Sequence, residues 1–275
     1  FVGCGLGGTS LVNANVSLPP EPRVMQDKAW PLALRADADG LLTRGFDLAR
    51  EMLKPAPYPA DFPSLAKLDA PAKSANSFLS DTPKANFFRP PINVNFDING
   101  TNHVGVEQQP CKLCGDCVTG CNYSAKNTVL MNYLPDARNF GADIFCECAV
   151  RWVERIGDKW SVHFDPIGEG REKFDAPPLT VSADVVVISA GTLGSTEILL
   201  RSRAKGLKVS DQLGHRFTGN GDVLAFGYNN DMPIDGIGYG TLKPEGRAPV
   251  GPCITGIIDL REQSTLQDGM VIEEG

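Results

Sequence analysis

The chain has 275 residues, of which 42% are hydrophobic and 21% charged, a composition typical of globular proteins that excludes a disordered or collagen-like chain. Its 26 basic and 33 acidic residues give a net charge of −7, which argues against nucleic acid as a partner, because such binding depends on clustered cations. No apolar run in the sequence approaches the length of a transmembrane helix.

The two ends of the chain predict an internal piece of a longer protein. Phe1 leads directly into the glycine-rich segment FVGCGLGGTSLVNANV, residues 1–16, and the chain stops abruptly at Gly275. Three glycines have G-x-G-x-x-G spacing, but Pro19 and Pro20 stand where the next strand of a dinucleotide-binding fold belongs. We therefore expect a glycine-rich loop of another kind, over which a ligand can approach the backbone closely.

The first half of the chain predicts helices separated by irregular segments. Residues 31–53 have the spacing of an amphipathic helix. Recurrent prolines over residues 55–91 predict a loop-like cover with one short helix. A hairpin around Asn99-Gly100 is expected within residues 96–103, and a helix over residues 127–138.

The second half predicts strands followed by a phosphate-binding turn. Short strands are expected at residues 143–148, 149–156 and 159–164, the last two forming a hairpin. The apolar run within residues 181–189 predicts a strand buried on both faces of a parallel sheet. A tight turn and a helix over residues 193–203 follow, and a helix N-terminus placed in this way can bind phosphate.

Four of the eight cysteines lie within eleven residues and repeat the spacing of a bacterial iron–sulfur run: Cys111, Cys114, Cys117 and Cys121. Because no second run exists, three local thiolates of a 3Fe-4S cluster are one candidate. A 4Fe-4S cluster is the other, if Cys146, Cys148 or a residue outside the sequence adds a ligand. Reduced structural thiols are the alternative, and zinc ranks lower. Clustered reduced thiols favour the cytoplasm, although the sequence leaves the compartment open.

Several segments in order resemble the cholesterol oxidase branch of the glucose–methanol–choline (GMC) flavoprotein family: residues 2–13, 125–134, 188–200, 213–214 and 219–222. The resemblance implies an α/β fold, in which a Rossmann-like, three-layer FAD-binding domain is interleaved with an α+β substrate domain. Both domains are expected to be incomplete in this chain. Substrate-domain segments are expected at residues 1–125 and 218–275, and the FAD-binding segment at residues 126–217.

The resemblance also assigns roles to individual residues. Those matching FAD-binding positions are Gly7, Gly8, Thr9, Asn13, Val16, Val150, Ala190, Gly191, Thr192, Asn220 and Gly221. Glu273 matches the carboxylate that acts as a base in sterol chemistry, with Glu274 as the alternative. The family's pyrophosphate-binding glycine motif is expected before Phe1, and its catalytic histidine and asparagine after Gly275.

Together these features predict an FAD-dependent oxidoreductase that oxidises the CH–OH group of a hydrophobic alcohol, with a sterol as one candidate, by hydride transfer to flavin N5. Oxygen or a redox carrier would accept the electrons, so oxidase and dehydrogenase both remain open. The alternatives are an iron–sulfur electron-transfer or binding module, and a fragment without flavin turnover.

Overall fold

The computed structural model describes residues 3, 5–37, 39–81 and 86–275, and the chain divides into two compact units. The first unit comprises residues 1–142 and 227–275, and the second comprises residues 143–226. The α-helices are α1 (Pro22–Met25), α2 (Leu32–Ala36), α3 (Leu41–Leu53), α4 (Ala66–Asp81), α5 (Tyr133–Asn139) and α6 (Gly191–Ala204). Each helix in this described part is too short or too polar to cross a membrane.

The strands form short antiparallel sheets. They are β1 (Asn86–Phe88), β2 (Gly100–Thr101), β3 (Glu107–Gln108), β4 (Cys148–Ile156), β5 (Lys159–Pro166), β6 (Leu179–Ala183), β7 (Ile257–Asp259) and β8 (Val271–Glu273). The strand orders are β1-β7-β8, β2-β3 and β4-β5-β6. This mixed content of helix and sheet agrees with the expected fold class, whereas the Rossmann-like layering stays a prediction.

The core of the first unit forms where α4 packs beside an extended segment at residues 91–96. Its buried side chains are Tyr58, Leu65, Leu68, Ile92, Val94 and Phe96. Tyr58 and Phe96 each pack edge-on against Phe62, with ring centroids 5.9 and 5.5 Å away. Edge-to-face aromatic packing and burial of apolar surface both stabilise this cluster.

Ile92 and Val94 also organise the neighbouring backbone. Ile92 bridges both Val16 and Ala56, and Val94 bridges Lys126. The segment at residues 91–96 therefore supports both the glycine-rich loop and the chain that follows the cysteine run.

Three predictions in the first unit need correction. The helix over residues 31–53 forms as α2 and α3, separated by a break at which Asp37 and Gly40 have left-handed backbones. The proline-rich segment contains α4, a 16-residue helix rather than a short one. The strand at Gly100 pairs with Glu107-Gln108 instead of turning at Asn99-Gly100, because Asn102 closes the turn by accepting from the backbone of Val104 and Val106.

The expected helix at residues 127–138 is divided in two. A short 3-10 helix, Val129–Met131, precedes α5, and Asn132 has a non-helical backbone between them. The Asn132 side chain accepts a hydrogen bond from the Tyr133 amide and so caps α5. Pro135 lies in the first turn of α5, where its missing N–H costs no helical bond.

The second unit is a three-stranded antiparallel sheet with α6 packed on β4. The predicted β4–β5 hairpin is confirmed, with Gly157 at φ 62° in its turn. The Ser202 hydroxyl on α6 accepts a hydrogen bond of 2.9 Å from the Val153 amide and donates to the Ile198 carbonyl. The helix predicted after the glycine turn is also confirmed, as α6.

Two strand predictions in this unit are wrong. Residues 143–147 are not a strand, and β4 begins at Cys148. The run expected to be a buried parallel strand contains only the last three residues of β6, which pairs antiparallel with β5 and ends at Ala183. Val185 and Val187 beyond it are 76% and 81% exposed, because no strand in the described residues pairs with this segment.

Candidate functional site

The glycine-rich loop has a tightly folded backbone that depends on its glycines. Gly7 and Gly8 have φ values of 109° and 54°, and a 3-10 helix runs from Gly8 to Leu11. A Cβ atom at Gly3 would lie 2.7 Å from Thr9 Cα, too close for any other residue to fit without a shift. A Cβ at Gly8 would meet nothing within 4 Å, so this part of the loop has open space beside it. Cys4 lies outside the described residues.

The end of the loop contains buried amides without hydrogen-bond partners. Asn15 is 1% exposed and has φ 76°, and neither Oδ1 nor Nδ2 of its side chain has a partner. The side-chain oxygen Oδ1 of Asn93 also lacks a partner. The backbone N–H of Asn93 donates to the backbone carbonyl of Asn15 over 2.8 Å. Unpartnered buried polar atoms are costly, so a bound polar group or ordered water is expected to complete them. For Asn15, the sequence signal is a polar residue between the apolar residues of the segment LVNANV.

A buried lysine, Lys126, supports the loop and was not predicted from the sequence as a site residue. Lys126 is 2% exposed, and its ammonium donates to the carbonyls of Leu11, Asn13 and Cys117 over 3.1, 2.7 and 3.0 Å. Burial lowers the pKa of Lys126, and the nearby thiols of the cysteine run oppose that shift. The Ser10 hydroxyl holds the loop at a further point, because it donates to the Gly7 carbonyl and accepts from the Val129 amide.

The four clustered cysteines line one small cavity together with Lys126: Cys111, Cys114, Cys117 and Cys121. Burial raises the pKa of the Cys111 thiol to about 12 and also raises that of Cys114, which favours the protonated form of both thiols. No group of three or more His, Cys, Asp or Glu side chains in the described residues is arranged to hold a metal ion. The arrangement therefore does not fit an iron–sulfur cluster as it stands.

Residues far along the chain pair with the backbone of the cysteine run. Gly251 forms a parallel bridge with Cys114, and the Tyr239 amide donates to the Cys114 carbonyl over 2.9 Å. Cys253 follows two residues later, and burial raises the pKa of its thiol to about 11. Cys146 and Cys148, which the sequence suggested as additional cluster ligands, belong to the second unit. Cys146 is exposed and Cys148 is half-buried.

The two glutamates at the end of the chain have different surroundings. Glu273 is the last residue of β8, opposite Ile257, and is exposed. The Glu274 side chain is 8% exposed and forms an ion pair of 2.8 Å with Lys67 of α4. Its other carboxylate oxygen accepts from the Thr255 amide and hydroxyl and from the Gly256 amide. Glu274 is thus fully engaged as a structural carboxylate.

The remaining predicted residues belong to the second unit. The Val150 carbonyl on β4 accepts from Arg201, and the Ala190 amide donates to the Ser195 hydroxyl at the start of α6. Gly191 begins α6 with φ 71°, and Gly221 has φ 80°. A pocket of about 610 Å³ brings the predicted Thr192 and Asn220 together, and its other polar side chains include Thr196, Glu197, His215 and Arg216.

Comparison with known proteins gives the class to which this chain belongs. A model of the GMC oxidoreductase family matches residues 93–219, a range that includes the cysteine run, Lys126 and the turn before α6. The chain is a member of the GMC oxidoreductase family.

Within that family, the chain is similar to cholesterol oxidases. It is 30% identical to a cholesterol oxidase of Mycobacterium tuberculosis over 222 residues, which are 75% of this chain and 36% of that protein. It is 30% identical to a cholesterol oxidase of Acinetobacter baumannii over 247 residues, which are 83% of this chain and 44% of that protein. An uncharacterised GMC-type oxidoreductase of M. tuberculosis is 27% identical over 215 residues. The chain thus spans less than half the length of these relatives.

Proposed function

We propose that the complete protein is an FAD-dependent oxidoreductase that oxidises the CH–OH group of a hydrophobic alcohol. The observation that carries this proposal is the glycine-rich loop, with open space at Gly8 and unpartnered amide atoms at Asn15. A flavin needs a backbone that it can approach closely and polar atoms that can meet its heterocycle, and both features occur in one loop of a GMC family member.

The residues that would hold FAD follow from the same proposal. Gly7, Gly8, Thr9, Asn13 and Val16 would line the isoalloxazine ring. In the second unit, the groups that would hold the adenosine part are the Val150 backbone and the start of α6 at Ala190, Gly191 and Thr192. Asn220 and Gly221 would belong to the segment that returns toward the flavin. When bound, FAD supplies the acceptor for the hydride that leaves the carbinol carbon.

We assign the base that removes the hydroxyl proton to Glu273. Glu274 is engaged by Lys67 and by three donors from Thr255 and Gly256, so proton transfer there would disrupt a buried ion pair. Glu273 is exposed at the end of β8, where an incoming hydroxyl group can reach its carboxylate. Anchoring of Glu274 fixes the backbone from which the Glu273 side chain extends.

The substrate that we propose is a sterol or a hydrophobic secondary alcohol of similar size. The support is the similarity to two proteins named cholesterol oxidase, from M. tuberculosis and A. baumannii. Oxygen or a redox carrier would reoxidise the flavin.

The experiment measures turnover of cholesterol and of a short-chain alcohol by the complete protein, beside Glu273→Gln and Glu274→Gln. We expect preference for the sterol, a loss of kcat of at least about 100-fold in E273Q without loss of stability, and a loss of stability in E274Q. Full activity in E273Q would refute the assignment of the base. Absence of bound flavin in the complete protein after reconstitution would refute the function.

A second candidate is an iron–sulfur electron-transfer module. Its supporting observation is that four cysteines spaced like an iron–sulfur run line a single cavity. Metal binding requires thiolates, and burial raises the pKa of the Cys111 and Cys114 thiols, so loading would have to release protons. It would also have to rearrange the side chains, because no group of three or more His, Cys, Asp or Glu in the described residues is arranged to hold a metal ion. Iron and acid-labile sulfide in protein purified without oxygen would support this candidate, and a flavin spectrum without iron would refute it.

A further inference from the structure

Lys126 connects two parts of the first unit, the glycine-rich loop and the cysteine run. An ammonium group has three N–H donors, and all three of those of Lys126 meet backbone carbonyls. Two of the carbonyls belong to Leu11 and Asn13 in the loop, and the third belongs to Cys117. In the described part of the chain no carboxylate forms an ion pair with Lys126.

Burying the Lys126 ammonium costs more free energy than burying an apolar side chain that would only fill the space. Burial of a cation without a carboxylate partner is unfavourable, and an apolar side chain of similar length would fill the same space without that cost. The compensation comes from charge-assisted bonds to carbonyls of a loop whose irregular backbone lacks ladder partners. The spacing of those carbonyls is consequently set by one ammonium group.

The backbone from which the lysine extends is itself held firmly. The backbone of Lys126 forms an antiparallel β-bridge with Val94, and the backbone N–H of Asn127 donates to the Asn93 carbonyl over 2.9 Å. Val94 belongs to the buried core cluster. The Lys126 side chain therefore extends from a well-held backbone, and its ammonium restrains the loop carbonyls that it binds.

We propose that Lys126 is the positioning residue of the flavin loop and that it makes the cysteine run a structural support of that loop. This inference rests on the proposed function, because it assumes that the loop lines the flavin. Lys126 holds the Leu11 and Asn13 carbonyls in place, which fixes the course of the backbone between Gly8 and Val16. Removal of the ammonium is expected to loosen that stretch and to weaken FAD binding.

The test uses the complete protein and two readouts, hydrogen exchange of the loop amides without FAD, and FAD affinity with the visible circular dichroism of the bound flavin. The variants are Lys126→Met, Lys126→Arg and, as a matched control, the exposed Lys28→Met. In K126M we expect exchange over residues 9–14 to rise at least about tenfold, the Kd for FAD to rise about tenfold, and the dichroism to change. K126R should fall between K126M and wild type, because it keeps the charge but cannot direct three N–H groups to the same carbonyls. K28M should match wild type.

Wild-type loop exchange in K126M would overturn the proposal. Faster exchange with unchanged FAD affinity and dichroism would also overturn it, because Lys126 would then be only structural. If the wild-type protein binds no FAD although K126M loosens the loop, the proposed function is refuted, whereas the role of Lys126 in holding the loop is supported. If K126M does not fold, K126R decides, and wild-type exchange and FAD affinity in that variant would overturn the proposal.

Discussion

Replacing Lys67 with Met removes one partner of the buried ion pair that anchors the end of β8. The Lys67 and Glu274 side chains are 3% and 8% exposed, and Lys67 Nζ lies 2.8 Å from Glu274 Oε2 and 2.7 Å from the Pro252 carbonyl. Methionine has similar length but no charge, so K67M leaves a buried carboxylate with only its donors from Thr255 and Gly256.

The expected cost is large. Removing one member of a buried, hydrogen-bonded ion pair destabilises a protein by about 3–5 kcal/mol. That is a substantial part of a total stability of about 5–15 kcal/mol, and it corresponds to a fall in Tm of roughly 10 °C. Because the remaining donors to Glu274 partly compensate its charge, we expect the lower end, about 3 kcal/mol.

Urea unfolding of the complete protein measures this cost. The double variant K67M/E274Q should be at least about 1 kcal/mol more stable than the sum of the single effects predicts, because it leaves no unpaired charge. Lys73→Met, at an exposed position of the same helix, should stay within about 0.5 kcal/mol of wild type. A K67M variant as stable as K73M, or single effects that simply add, would refute the idea that the pair is structural.

Further predictions concern the cysteine pocket and the end of β7. Gly115→Ala should destabilise the protein by about 2 kcal/mol more than Gly120→Ala in urea unfolding. Both glycines have positive φ, but only a Cβ at Gly115 would meet a neighbouring atom, Val250 Cγ1 at 2.4 Å. Equal effects of the two substitutions would contradict this contact. The hydrogen bonds from Arg261 hold the pKa of Asp259 below its ordinary value of 3.8, so its stabilisation is present above that pH and is lost as the pH falls through the lower, folded-state pKa. Asp259→Asn should therefore cost up to about 1 kcal/mol at pH 7 and progressively less toward pH 3, and a difference independent of pH would contradict this origin.

The sequence predicted the elements whose signals are local. The β4–β5 hairpin follows from alternating strands around Gly157, and α6 follows from a glycine turn before a helical stretch. In each case the residues that determine the geometry lie within a few positions of one another.

The sequence did not predict features that depend on distant partners. An apolar run such as residues 185–189 becomes a strand only if another strand pairs with it, and no strand in the described part of the chain does so. The Lys126 ammonium meets carbonyls 113 and 115 residues away, and Glu274 meets a lysine 207 residues away. Neither separation produces a periodic pattern in the sequence. The contacts of Lys126 with the loop and the structural role of Glu274 could therefore be recognised only in the folded chain.

Anaerobic reduction of the flavin by substrate tests the central claim most directly. The complete protein, reconstituted with FAD and kept free of oxygen, is mixed with cholesterol, and the visible flavin absorption is followed. We predict that the flavin band bleaches with the sterol in wild type and in Glu274→Gln that remains folded, and that bleaching is slowed at least about 100-fold in Glu273→Gln. A bound flavin that stays oxidised with sterols and with other hydrophobic secondary alcohols would contradict the account.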